Sequence, residues 1–177
     1  MHSVEIVLDE DTDRQVRDQW RALASAGLPS QARHTGASNR PHVTVALADA
    51  VSAEVERRLV HVAAGLPVAV TLGGLLIFGG RRFVVSRLVV PSAGLLELQA
   101  RVVQALDEPL DPHHTFGPGR WTPHVTLGRR LTAEQVGSAL TVLGEVPALA
   151  GRLVRARRWD IDAKQETWLG PQNDAPG

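Results

Sequence analysis

The chain has 177 residues, with Lys plus Arg equal to Asp plus Glu at 19 each. That length allows a sizeable core, and the balanced charge argues against a long nucleic-acid surface, which would show as a basic excess. The absence of cysteine excludes disulfides, thiolate metal sites and a cysteine nucleophile, and no apolar stretch approaches the ~20 residues that span a bilayer. Residues Met1 to Glu5 lack the basic-then-apolar pattern of a signal peptide, so a cytoplasmic protein without membrane attachment is expected.

Val4 to Leu8 reads as a first strand. Asp9, Asp11 and Thr12 are candidate caps for a helix to about Ala26, with Val16, Trp20 and Leu23 on one stripe; Gly27 and Pro29 end it. Residues 28–40 form a long polar loop, and such loops are often functional. Pro41-His42-Val43-Thr44 then opens an apolar strand. Ser52 caps a helix carrying Val55, Leu59 and Val62, closed by Gly65 and Pro67. Val68 to Phe78 reads as one strand bent at Gly73-Gly74, and Phe83 to Val90 as its hairpin partner. Ser92 caps a helix with Leu95, Leu96, Gln99, Val102, Val103 and Leu106. A second long loop, 108–122, leads into Pro123-His124-Val125-Thr126. Thr132 and Gln135 make a capping box for a helix using Val136, Leu140 and Leu143. Residues 148–159 and 165–169 read as closing strands.

The tetrapeptide repeat is part of a larger one. Ser52-Ala53-Glu54 returns as Thr132-Ala133-Glu134, and Pro67 as Pro147, both 80 positions on. Each half reads strand, helix, long loop, motif strand, capped helix, strand. A duplication with pseudo-two-fold symmetry would bring the two motif strands together at one cleft. Because strand side chains alternate, His42 and Thr44 share a face, as do His124 and Thr126.

Two imidazoles near neutrality can serve one as base and one as acid. Set on opposite sides of a phosphodiester, they suit in-line displacement. Threonine hydroxyls can hold the non-bridging oxygens. This chemistry calls for no metal, no cofactor and no covalent intermediate, and suits a strained diester.

The paired motifs resemble those of the 2H phosphoesterase superfamily, in particular its 2′-5′ RNA ligase-like, cyclic phosphodiesterase branch. His42 and Thr44 correspond to its first motif, His124 and Thr126 to its second. The resemblance covers nearly the whole chain and implies an α+β fold: bilobal, antiparallel sheets lining a central cleft, helices outside. It implies one domain over 1–170, with halves of about 1–80 and 81–170 and a frayed tail at 171–177. It also implies hydrolysis of 2′,3′-cyclic phosphates on RNA ends or nucleotides, with His42 and His124 as the acid–base pair and Thr44 and Thr126 on the phosphate. Arg129 resembles a basic residue frequent after the second motif and is a phosphate-binding candidate. Which histidine is acid and which is base stays open. The alternatives are a nucleotide-binding module without turnover, and a 2′-5′ phosphodiesterase or weak RNA ligase. The expected partner is a nucleotide or short RNA end bound by a monomer.

Other residues carry weaker readings. Trp121 at the mouth of the second motif, and Phe78, are base-stacking candidates that could equally be packed in the core. A histidine metal site would need a third ligand, and His34, His113 and His114 lie in loops without ligand spacing. His61 falls off its helix stripe and reads as solvated. Arg40 reads as structural or surface. Arg152, Arg155, Arg157 and Arg158 alternate along a strand and read as mainly solvated.

Overall fold

The computed structural model describes residues 1–111 and 115–170. His113 and His114, and the tail expected to fray, lie outside the described residues. In chain order the elements are β1 (His2–Leu8), α1 (Glu10–Ser25), β2 (His42–Ala48), α2 (Ala53–Ala63), β3 (Val68–Phe78), β4 (Phe83–Val89), α3 (Ala93–Ala105), β5 (Pro109–Leu110), β6 (His124–Leu131), α4 (Ala133–Leu143), β7 (Leu149–Asp160) and β8 (Gln165–Leu169). The loop after α1 contains one short 3₁₀ turn, Gln31–Arg33.

Side chains read from the sequence set the helix starts. Asp9, Ser52, Ser92 and Thr132 each accept a backbone N–H of the first turn, and Gln135 completes the capping box with Thr132. Val16, Trp20 and Leu23 of α1 are buried, as are Val55, Leu59 and Val62 of α2. Gly27, at φ 75°, takes the left-handed turn that ends α1. Two stripes sit differently from expectation. On α4 the buried residue is Ala139, with Leu140 exposed, and on α3 Leu98 is buried while Leu96 faces solvent. A small residue let α4 approach closely, which an apolar count does not reveal.

All strand pairs are antiparallel. The eight strands form one hydrogen-bonded sheet with two arms. One arm runs β2-β1-β7-β8, with the two-residue β5 added to the β2 edge, and the other runs β6-β4-β3-β7. The long β7 belongs to both: Leu149 to Leu153 pair with β3, and the remainder with β1 and β8. The arms join again where β2 touches β6, at Val43 opposite Val125. The two-fold relation read from the repeat is visible here, since β1 and β2 repeat as β4 and β6, and β3 as β7. Helices cross between halves. α1 packs on α4 and β6, and α3 on α2 and β2, so each half's first helix supports the other half's motif strand.

The bend at Gly73-Gly74 takes the ladder out of register between Leu72 and Leu75. The fully buried Arg87 occupies the gap. It donates to the carbonyls of Gly73 at 2.7 Å, Leu72 at 3.0 Å and Pro147 at 2.8 Å. Arg87 lies opposite Val125 on β6, so this clamp stiffens the strand beside the second motif.

Candidate active site

Pro41 and Pro123 precede the motif strands, where a residue without an N–H is tolerated at a strand's first position. The chain then holds both imidazoles in the same way. His42 places Nδ1 2.8 Å from the carbonyl of Arg40, and His124 places Nδ1 2.8 Å from the carbonyl of Thr122. A carbonyl only accepts, so each Nδ1 carries the hydrogen and each Nε2 is left for proton transfer. Alternation holds in β2, where His42 and Thr44 are half-buried and Val43 and Val45 are buried. In β6 His124 is half-buried, while Thr126 is set deeper, at 9 % exposure. The antiparallel bridge at Val43 and Val125 sets His42 on the side of Thr126 and Thr44 on the side of His124.

Two tryptophans repeat this symmetry. Trp121 donates its indole N–H to the carbonyl of Thr44 at 3.1 Å, and Trp20 of α1 donates to that of Thr126 at 2.9 Å. Trp121 is therefore not the stacking platform considered above. It is 8 % exposed, and its polar tip is committed to the backbone. Phe78 lies beside the second motif, its ring 4.6 Å from that of His124 at 57°. Arg40 lies against Trp168, 5.2 Å from the ring centroid, which fixes the residue whose carbonyl holds His42.

Charge breaks the symmetry. Glu5 of β1 is buried, with Oε1 3.6 Å from Nε2 of His42. Ser3 donates to Glu5 Oε1 at 2.7 Å, and Arg157 donates to Oε2 from Nε at 2.9 Å. Arg157 also pairs with Glu166 at 2.7 Å and donates to the carbonyl of Ser38. At 3 % exposure it is a core cation, which corrects the expectation of a solvated run. Arg155 lies over Trp168, and Arg158 pairs with Glu56. Burial pushes His42 below its ordinary 6.5; the Glu5 carboxylate and the Arg40 carbonyl oppose this, and Arg157 and Arg129 reinforce it. Burial also lowers His124, with the Thr122 carbonyl opposing and the charges of Arg129 and His42 adding to the fall.

His42, Thr44, His124 and Arg129 line one cleft of about 440 Å³. Arg129 is exposed at its mouth, close enough for its charge to bear on both histidines. The same cleft is lined by residues that the sequence reading did not select: Glu5, Gln31, His34, Phe116 and Trp159. Glu5 was visible as a lone carboxylate inside an apolar strand, but its partner Arg157 lies 152 positions on. Gln99, read on its helix stripe, donates to the carbonyls of Val45 and Phe116 and so ties the second long loop to β2. His61 is exposed, away from the cleft. Among the described residues no three His, Asp or Glu side chains gather as a metal would need, and no helix is long and apolar enough to cross a membrane.

The sequence profile of the 2′-5′ RNA ligase superfamily matches residues 9–165. The chain belongs to this superfamily. Its fold is the superfamily's α+β, antiparallel one, and membership supports an activity of the phosphodiesterase or ligase kind. Among solved structures, Usb1 of Kluyveromyces marxianus is similar at 14 % identity and TM-score 0.57, over 95 % of this chain and 96 % of that one. LigT of E. coli in apo form is similar at 21 % identity and TM-score 0.52, over 95 % and 93 %. Similar folds also occur in a Usb1 structure with uridine monophosphate and in a LigT structure complexed with 3′-AMP, the latter at 19 % identity, TM-score 0.50 and 95 % and 94 % coverage. At such identities the likeness extends to the fold. No curated protein matches the sequence.

Proposed function

We propose that the chain is a phosphodiesterase that hydrolyses 2′,3′-cyclic phosphates on nucleotides or RNA ends, using His42 as general acid and His124 as general base. The observation that carries this is the matched pair of Nδ1-to-carbonyl bonds at 2.8 Å, which leaves two Nε2 atoms for work at one cleft. His124 Nε2 takes a proton from water, the water oxygen bonds to phosphorus, and the ring P–O bond breaks. The departing oxygen receives the proton of His42 Nε2. The carboxylate of Glu5, 3.6 Å from His42 Nε2, favours the imidazolium on that side. His124 has no such carboxylate among its influences, and the charge of His42 disfavours the imidazolium there, while Arg129 bears on both rings alike. Thr44 and Thr126 hydroxyls, with Arg129, hold the non-bridging oxygens. Trp159, which lines the cleft, offers a ring for a nucleobase. The nucleoside monophosphates bound to proteins of this fold support a nucleotide ligand.

The test is a panel of 2′,3′-cyclic mononucleotides, a cyclic-phosphate-ended oligonucleotide and a 2′-5′ dinucleotide in chelator-treated buffer, with products identified by phosphorus NMR. Cyclic phosphates should be opened, and His42→Ala and His124→Ala should each lose about 10²–10⁴-fold in rate with unchanged circular dichroism. Nucleotide binding without turnover would leave a binding module, and near-normal turnover by either variant would refute the acid–base pair.

A further inference from the structure

β6 departs from regular geometry directly after the second motif. Between the pairs Val85–Gly128 and Phe83–Leu131, β4 advances two residues and β6 three. The extra residue is a bulge, and Arg130 within it adopts φ 64°. That conformation costs a residue with a side chain about 1 kcal/mol or more. In a regular strand Arg129 and Arg130 would point to opposite faces; bulges re-aim side chains. Here both line one hollow of about 430 Å³, together with Ser30, Gln31, Arg33 and His34 of the first long loop.

Three features make this hollow more than a gap. It holds three arginines and no carboxylate, in a chain whose charges otherwise balance. Among the described residues, none of the three arginines has a carboxylate partner; Arg33 donates to the carbonyl of Gly27. The hollow is also continuous with the catalytic cleft, which shares Gln31, His34 and Arg129. Gly128 permits the arrangement, because a Cβ there would run into the carbonyl of Pro29.

We propose that this hollow receives a second phosphate of the ligand, read by Arg130 and Arg33 while the first sits between the histidines. The inference rests on the phosphate reading of the histidine cleft and narrows the substrate class to nucleotides bearing another phosphoryl group. Planar guanidinium groups free of acidic partners suit such an anion. The group could be a 5′-phosphate or the internucleotide phosphate of an RNA end.

Calorimetry on the full chain separates these sources, with adenosine 3′-monophosphate, adenosine 3′,5′-bisphosphate and the 3′-phosphorylated dinucleotide ApAp as probes. At fixed moderate salt at least one doubly phosphorylated probe should bind about tenfold or more tighter than the monophosphate. Arg130→Gln and Arg33→Gln should each remove most of that advantage and leave the monophosphate affinity unchanged. A preference for the bisphosphate assigns the hollow to a 5′-phosphate, and one for ApAp to an RNA backbone. Equal affinities in the parent chain, or an advantage kept by both variants, overturns the proposal even where cyclic phosphates are hydrolysed. An Arg130-dependent advantage without any cyclic phosphodiesterase activity upholds the hollow and removes the catalytic reading.

Discussion

Protonation of His42 should oppose folding, and the pH dependence of stability can show it. The side chain is 26 % exposed, and burial holds its imidazole below 6.5 despite the lift from Glu5. The unfolded chain therefore binds more protons than the folded one between the depressed value and about 6.5. Stability is fully present above that window, falls as pH drops through it, and levels off below the folded value. One proton sets the limiting slope, about 1.4 kcal/mol per pH unit. His124 is shifted in the same sense, but its ring is more open to water and adds less. Asp9, Asp111 and Asp160 are held below their usual 3.8, outside the window. Urea unfolding from about pH 5 to 8, on the parent chain and His42→Gln, measures the effect. The parent should lose stability as pH falls below 6.5, and the variant should lose most of that slope. Identical slopes, or stability that rises on acidification, would refute the burial argument.

The same shifts should place the maximum of kcat/KM for a cyclic nucleotide on the acidic side of pH 6.5, because one imidazole must be neutral while the other is charged; a pH–rate profile reads this directly. Trp20→Phe and Trp121→Phe should each cost about 1–3 kcal/mol in chemical denaturation, from a lost bond to a motif carbonyl and a partial cavity. Arg157→Met should cost about 3–5 kcal/mol in the same assay, because it strips the buried Glu5 of its main partner.

What could be read from the sequence was local or repeated. Caps at Asp9, Ser52, Ser92 and Thr132 act within three residues, so the helix starts emerged directly. The His-x-Thr strands were legible because the motif occurs twice, and the bend in β3 because two glycines mark it. What escaped depends on contacts distant in sequence. Arg157 looked solvated because its partner Glu5 sits on another strand, and Arg87 looked like an ordinary strand residue because the carbonyls it serves belong to β3 and to Pro147. Trp121 stays open between stacking and packing in the sequence, because all that its neighbourhood shows is the motif. Its actual bond goes to the opposite motif strand, 77 positions away. The pair Pro109–Leu110 is too short to announce itself as a strand.

Duplication alone would give two equivalent histidines, and equivalent groups make a poor acid–base pair. Under the acid–base roles proposed above, the structure keeps what must be equal and changes what must differ. Backbone carbonyls fix both Nδ1 atoms at the same distance, and an indole from elsewhere in the chain holds each threonine carbonyl. The surroundings of the two Nε2 atoms then diverge: a buried carboxylate anchored by Arg157 stands beside His42, and the ring of Phe78 lies against His124. Glu5 comes from β1, whose counterpart in the second half is β4, so this difference is carried by the strand flanking the motif rather than by the motif itself. A duplicated scaffold can in this way acquire separate proton donor and acceptor roles through a substitution one strand away, without disturbing the geometry that both roles require.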